Sequence, residues 1–183
     1  FYDINSNAML IENNSFYNTD GYYINYLDGR LWFSGDFSNQ TTMHTVAKYS
    51  EPLIIKAGLK KSAKCSSHFV ALSPDPNFKW SWGSSKNAIK FVWNCDEKYI
   101  YSPLGRKSTK CADIGSYSID IRLYEGYLTF TDGRCDTVEM RNPFGDELNF
   151  YIFVGADNDY PKQKSIFKYM RVLKPESRAA RGR

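Results

Sequence analysis

Two segments of this 183-residue chain carry side chains whose types and spacing suit chemistry. In 117–124, Tyr117, Ile119, Ile121 and Leu123 alternate with Ser118, Asp120, Arg122 and Tyr124. In 88–94, Ile89, Phe91 and Trp93 alternate with Lys90, Val92 and Asn94. Successive side chains of a strand point to opposite faces, so each segment has one core face and one polar face. If the two strands share one sheet, Lys90, Asn94, Asp120, Arg122 and Tyr124 converge on its outer surface. Such a cluster can hold a charged sugar, with arginine paired to a uronate carboxylate. It also suits β-elimination, Arg122 neutralising the carboxylate while Tyr124 or His68 moves the proton. The plainer reading is a solvated face stitched by cross-strand charge pairs. That reading outranks catalysis, and simple ligand binding falls between the two.

Trp80 and Trp82 stand two apart in Asn77-Phe78-Lys79-Trp80-Ser81-Trp82-Gly83, so an extended segment projects both to one side. Flat rings of this kind stack on a pyranose; plugging the end of a sandwich is an equally good use for them. Trp32 and Trp93 read as core. Glu97, Glu125, Glu139 and Glu147 stand apart from one another, so the paired carboxylates of glycoside hydrolysis are not legible. His44 and His68 lie in strand contexts and read as buried structural residues rather than catalysts. Asp157-Asn158-Asp159 is an oxygen-rich turn of the kind that holds calcium. Without EF-hand spacing, a polar turn with no metal is the better reading, and no cofactor is expected.

The cysteines Cys65, Cys95, Cys111 and Cys135 form no C-x-x-C pair and no Cys/His cluster, which argues against zinc. Their even number and wide spacing fit two disulfides in an oxidising compartment; four buried thiols in a reducing one are the alternative. Of three connectivities, Cys95–Cys111 with Cys65–Cys135 is preferred. Sequons at Asn13 and Asn39 lean toward a secreted glycoprotein.

The formal charge of +4 conceals a gradient. From Tyr160 onward there are eight basic residues and one acid, while residues 1–159 carry a net −3. No basic stripe crosses the body, which weighs against nucleic acid as a partner. No apolar stretch approaches membrane-spanning length, so membrane insertion is not expected. A first residue of Phe1 suggests a processed product or an excised domain, and 175–183 reads as a basic tail or linker.

Turn signals such as Asp28-Gly29, Pro74-Asp75-Pro76-Asn77, Glu125-Gly126, Asp132-Gly133 and Asn142-Pro143 recur along the chain. Between them lie short alternating or apolar runs: 22–26, 30–34, 43–48, 52–59, 68–73, 88–94, 98–101, 117–123, 126–131, 135–140, 149–155 and 165–173. No segment shows a helical period. The stretch 102–116 reads as a long exposed loop tethered by Cys111. One domain over 1–174 is expected, an all-β, antiparallel two-sheet sandwich.

Three stretches carry a family likeness: the hairpin 119–130, the strand Tyr151-Ile152-Phe153-Val154-Gly155-Ala156, and the closing Phe167-x-x-Met170-Arg171-Val172. Together with Leu31-Trp32-Phe33-Ser34-Gly35-Asp36, they resemble the concanavalin A-like lectin/glucanase jelly rolls. The resemblance implies a jelly roll whose relatives include lectins, laminin-G-like domains, glycoside hydrolases and polysaccharide lyases. Fold alone does not choose among these. The expectation is a secreted or surface-exposed domain that recognises a glycan or polysaccharide without catalysis. Trp80, Trp82, Asn94, Asp120, Arg122 and Tyr124 would be its contacts. A lyase working through Lys90, Arg122, Tyr124 and His68 is the enzymatic alternative, and a laminin-G-like module with a protein partner is the third.

Overall fold

A computed structural model describes residues 2–3, 16–18, 24–27, 30–34, 41–45, 48–61, 66–78, 86–94, 96–111, 115–145, 148–158 and 164–174. Fifteen strands and no helix occur among them. They are β1 (Tyr2–Asp3), β2 (Phe16–Asn18), β3 (Ile24–Leu27), β4 (Arg30–Ser34), β5 (Thr41–Thr45), β6 (Leu53–Lys61), β7 (Ser66–Ser73), β8 (Ile89–Asn94), β9 (Glu97–Ser102), β10 (Gly105–Lys110), β11 (Gly115–Tyr124), β12 (Tyr127–Thr131), β13 (Val138–Arg141), β14 (Tyr151–Asn158) and β15 (Lys164–Lys174).

Two antiparallel sheets result. The eight-stranded sheet runs β13-β12-β11-β6-β15-β4-β3, with β1 also on β15; the seven-stranded sheet runs β10-β9-β8-β7-β14-β5-β2. This is the expected jelly-roll sandwich. Its core lies between the sheets, where Ile55, Leu59, Val70, Leu72, Phe91, Trp93, Ile121, Phe130 and Ile152 are buried. The Trp93 and Phe130 rings meet edge-on across the layer, with centroids 3.9 Å apart. Alternation sorted these faces as anticipated: Ile119, Ile121 and Leu123 are buried while Ser118, Arg122 and Tyr124 are exposed.

Turn chemistry sets the registers. Tyr124 pairs with Tyr127 across the two-residue loop Glu125-Gly126, and both loop residues have positive φ, 51° and 78°. That is the demand of a type I′ hairpin, which Gly126 meets at no steric cost. Ser102 likewise pairs with Gly105 across Pro103-Leu104, and the Leu104 N–H donates to Ser102 Oγ at 3.1 Å.

Four expectations are corrected. The stretch 102–116 is no single loop, because Gly105–Lys110 forms β10 on β9; every residue of it is at least partly exposed, so it shows no apolar alternation. Ala156, Asp157 and Asn158 continue β14 against His68, Ser67 and Ser66 instead of turning. Cys111 is bonded to Cys135 with Cα atoms 5.6 Å apart, so neither Cys95–Cys111 nor Cys65–Cys135 forms. The hairpin β9–β10 carries Cys111 back beside the β12–β13 turn, which a linear spacing does not reveal. Finally, β8 and β11 lie in different sheets. Trp80, Trp82, Cys65, Cys95, Asn13, Asn39, Asp159 and the tail 175–183 lie outside the described residues.

Candidate functional site

The separation of β8 from β11 divides the expected polar cluster. Lys90 and Asn94 face outward from the seven-stranded sheet; Asp120, Arg122 and Tyr124 face outward from the other. His68 belongs to neither face, because it precedes the core residue Val70 by two and is wholly buried. The four residues assigned to a lyase therefore cannot meet one substrate.

The outer face of the seven-stranded sheet is unusual for a sandwich exterior. Phe69 and Ala71 of β7 alternate with the core residues Val70 and Leu72, so they point away from the core. They join Val92, Tyr99, Phe153, Ala88 and Phe78 in a second buried apolar cluster, with Tyr101 and Tyr151 partly exposed at its margin. Register explains the assembly. Phe69, Val92 and Tyr99 stand in one cross-strand row, and Phe153, Ala71, Lys90 and Tyr101 in the next. Phe78 arrives from outside the sheet. The Asp75 N–H donates to Ser73 Oγ (3.2 Å), the Asn77 N–H to Asp75 Oδ1 (2.8 Å), and the Phe78 N–H to the Asp75 carbonyl (3.2 Å). This Pro-Asp-Pro-Asn turn lowers Phe78 onto Phe153, centroids 5.0 Å apart.

Polar groups fringe that floor. His44 packs edge-on to Tyr151 at 5.3 Å, and its Nδ1 lies 2.8 Å from the Thr45 carbonyl. Ser67 Oγ donates to Asn94 Oδ1 at 2.9 Å. Arg106 lies over Tyr99 with its guanidinium carbon 4.1 Å from the centroid, and pairs with Glu97. Lys90 is only 1 % exposed. Burial lowers its pKa to about 8. It therefore charges the floor from within and offers little surface for direct contact.

On the opposite face, Arg122 is already engaged. Its Nε and Nη2 donate to Asp120 Oδ1 and Oδ2 at 2.8 and 3.0 Å, and Lys56 reaches the same carboxylate at 3.6 Å. The hydrogen bond to Asp120 raises the Arg122 pKa. A bidentate fork spent on Asp120 is not available to a uronate. Tyr124 instead lines an open cleft of about 520 Å³ with Glu51, Pro52, Glu125, Gly126 and Gly145. Glu51 accepts from the Gly126 N–H at 2.7 Å and from Asn142 Nδ2 at 2.9 Å, so it ties together the starts and ends of three strands.

Sequence reasoning missed a third constellation. Lys98 alternates with the core residue Ile100 and points between the sheets, where its Nζ meets Asp132 Oδ1 at 3.3 Å with both side chains fully buried. Asp132 also accepts the N–H groups of Arg134 (3.0 Å) and Cys135 (3.2 Å). Burial pushes the Asp132 pKa up, yet those N–H donors with the Lys98 and Arg134 charges hold it below the ordinary carboxylate value. Burial lowers the Lys98 pKa, with Asp132 pulling the other way. Cys111 Sγ, Cys135 Sγ and an Asp132 oxygen lie within 4.8 Å of one another. The disulfide has consumed both thiolates, so this group is a structural junction, not a set of metal ligands. Its sequence signal was Lys98 standing in the inward register of Glu97–Ser102.

No protein-family model and no curated protein matches the chain. Solved structures do. A protein of unknown function with a galectin-like fold from Bacillus subtilis aligns over 95 % of this chain and 96 % of its own, with TM-score 0.72 and 10 % identity. The legume lectin-like domain from Entamoeba histolytica gives 0.69 at 15 % identity, over 96 % and 99 %. The fold is that of the concanavalin A-like lectins and glucanases. Bacillus licheniformis β-glucanase gives 0.65 at 12 % identity over 96 % and 98 %, so both branches of this lectin/glucanase fold are matched along nearly their whole length. Such identities establish architecture alone. Glu97, in the outward register of the seven-stranded sheet, forms an ion pair with Arg106.

Proposed function

We propose that this chain is a carbohydrate-recognition domain, secreted or displayed on a surface, and that the outer face of its seven-stranded sheet receives the glycan. The observation that carries this reading is the second aromatic layer on that face. An exterior sheet face is ordinarily polar, whereas here Tyr101 and Tyr151 edge a buried apolar floor with their hydroxyl-bearing rings. Rings with an apolar face and a polar tip suit the stacking and hydrogen bonding that sugars require. Trp80 and Trp82 follow Phe78 in sequence and join the set, with Asn94 and Arg106 offering polar contacts. Asp120 and Arg122 leave it, since they satisfy each other on the opposite face, and Tyr124 leaves with them. A non-catalytic role is favoured by the dispersal of the lyase residues and by the engaged state of Glu97. The Cys111–Cys135 bond supports an oxidising compartment.

The test is a glycan and polysaccharide array followed by calorimetry. Tyr101→Ala, Tyr151→Ala and the Trp80→Ala/Trp82→Ala pair should each weaken binding by about tenfold, with Tyr124→Ala silent. A blank array with folded protein would discard the reading and bring forward a laminin-G-like protein-binding module.

A further inference from the structure

We infer that the seven-stranded face reads the ends of saccharide chains: a terminal ring fits beside Tyr101 or beside Tyr151, and Phe78 bars any chain from lying across both. This rests on the glycan-face reading and narrows its ligand.

The two partly exposed tyrosines belong to β9 and β14, with β8 and β7 between them. Three strand intervals at roughly 4.8 Å separate them by about 14 Å, more than one sugar ring covers. An open groove over that distance would leave accessible side chains along the way. Instead Ala71 and Ser73 of β7, Lys90 of β8 and Ala88 just ahead of that strand are all buried. Phe78 stands in the middle of this strip. Its ring meets Phe153 of β14 at 5.0 Å, and Lys90 Nζ of β8 lies 5.7 Å from its centroid. Phe78 is therefore held above β7. Ala71, the smallest side chain of the cross-strand row Phe153, Ala71, Lys90, Tyr101, leaves room for it there.

The wall is fixed at its foot. Ser73 Oγ donates to the Asn87 carbonyl at 3.1 Å and accepts the Asp75 N–H at 3.2 Å, so both ends of the β7–β8 connection close on one hydroxyl. Along its own strand each tyrosine is also closed on one side. Next to Tyr101, the ring of Tyr99 is capped by Arg106, whose guanidinium carbon lies 4.1 Å from the centroid and whose charge is paired with Glu97. Next to Tyr151, Phe153 is wholly buried, and Lys48 stands over the Tyr151 ring itself at 5.0 Å. A cover over an apolar sheet face also guards against association, which accounts for the burial of Phe69 and Val92. It does not account for one tyrosine left open on each side of the cover.

The experiment titrates the folded protein with dextran, pullulan, linear galactan and linear mannan, each as the long polymer and as its own short oligosaccharides. At least one set of oligosaccharides should bind about tenfold or more better than its polymer per unit mass of sugar, because it carries more ends. Parity, or a preference for the polymer, would overturn the inference and leave the glycan face standing. For a saccharide that only the wider array selects, its free terminus is compared with the same terminus capped by a further residue, and equal binding overturns the inference. Phe78→Ala should open the strip and bring polymer and oligosaccharide to within about twofold of each other. A folded Phe78→Ala protein that keeps the full difference would remove Phe78 as the wall; if the variant does not fold, the wild-type comparison still decides. Should no saccharide bind, on this panel or on the wider array, the inference and the reading beneath it fall together.

Discussion

Lys90 and Lys98 stand on neighbouring strands of one sheet, both nearly inaccessible to water, and they are handled in opposite ways. Lys98 points into the sandwich and meets a carboxylate that is itself held by backbone donors. Lys90 points outward into an aromatic layer, and burial lowers its pKa to about 8. The first arrangement secures a junction between the sheets, reinforced by the disulfide beside it. The second holds a lysine against the Phe78 ring, with burial as the main influence on its charge.

The comparison can be broken most forcefully at Asp132. Asp132→Asn strands Lys98 as a buried charge and should cost about 3–5 kcal/mol in chemical denaturation. A Lys98→Met/Asp132→Leu double variant should recover most of that loss. If it does not, the pair contributes more than mutual neutralisation.

Next is the disulfide. Replacing Cys111 and Cys135 with serine opens a loop between residues 24 apart in sequence and should lower stability by about 3 kcal/mol. A null effect would show that the Lys98–Asp132 junction holds the edges unaided.

Lys90→Met should move stability the other way. The folded-state pKa of about 8 lies below the ordinary 10.5, so at pH 7 the native state bears a penalty of about 3 kcal/mol. Between those two values the unfolded chain keeps its proton while the folded one has lost it, so wild-type stability rises with pH. The variant should be more stable at neutral pH, with the gap closing from pH 8 to 10.5. A gap constant across that range would show that Lys90 is not strained by burial.

The smallest effect belongs to the exposed reference. Arg122→Ala removes a surface pair and should change stability by about 0.5 kcal/mol, less in high salt. A larger loss would mean that the eight-stranded face depends on its charges as the interior does.

Strand identity was readable because Ile89, Phe91, Trp93 and Ile119, Ile121, Leu123 each keep a strict two-residue period. Sheet membership was not, since alternation reports which side faces the core and says nothing of which neighbour is hydrogen-bonded. Hence Lys90 and Arg122, which would converge only if β8 and β11 shared a sheet, lie on opposite exteriors. The strand β10 escaped notice because Arg106-Lys107-Ser108-Thr109-Lys110 has no buried side to pattern. Tyr99 and Tyr101 keep an aromatic two-residue period and yet face outward, because Lys98, Ile100 and Ser102 are the ones turned inward. The outer floor that attracts Tyr99 exists only once Phe78 folds over Phe153, a contact between residues 75 positions apart.

The sheet order also shapes how the molecule is made. Among the described residues, strands β1 to β5 pair only with one another or with β14 and β15. These five strands must therefore wait for β14 and β15 before they join the rest of either sheet. Contacts so distant in sequence slow the search for the native state, and a waiting hairpin such as β3–β4 presents open edges meanwhile. A nascent chain halted before residue 151 would hold β6 to β13 in register and leave β1 to β5 without their partners in β14 and β15. Closure of the two sheets therefore waits on β14 and β15 and does not build up strand by strand.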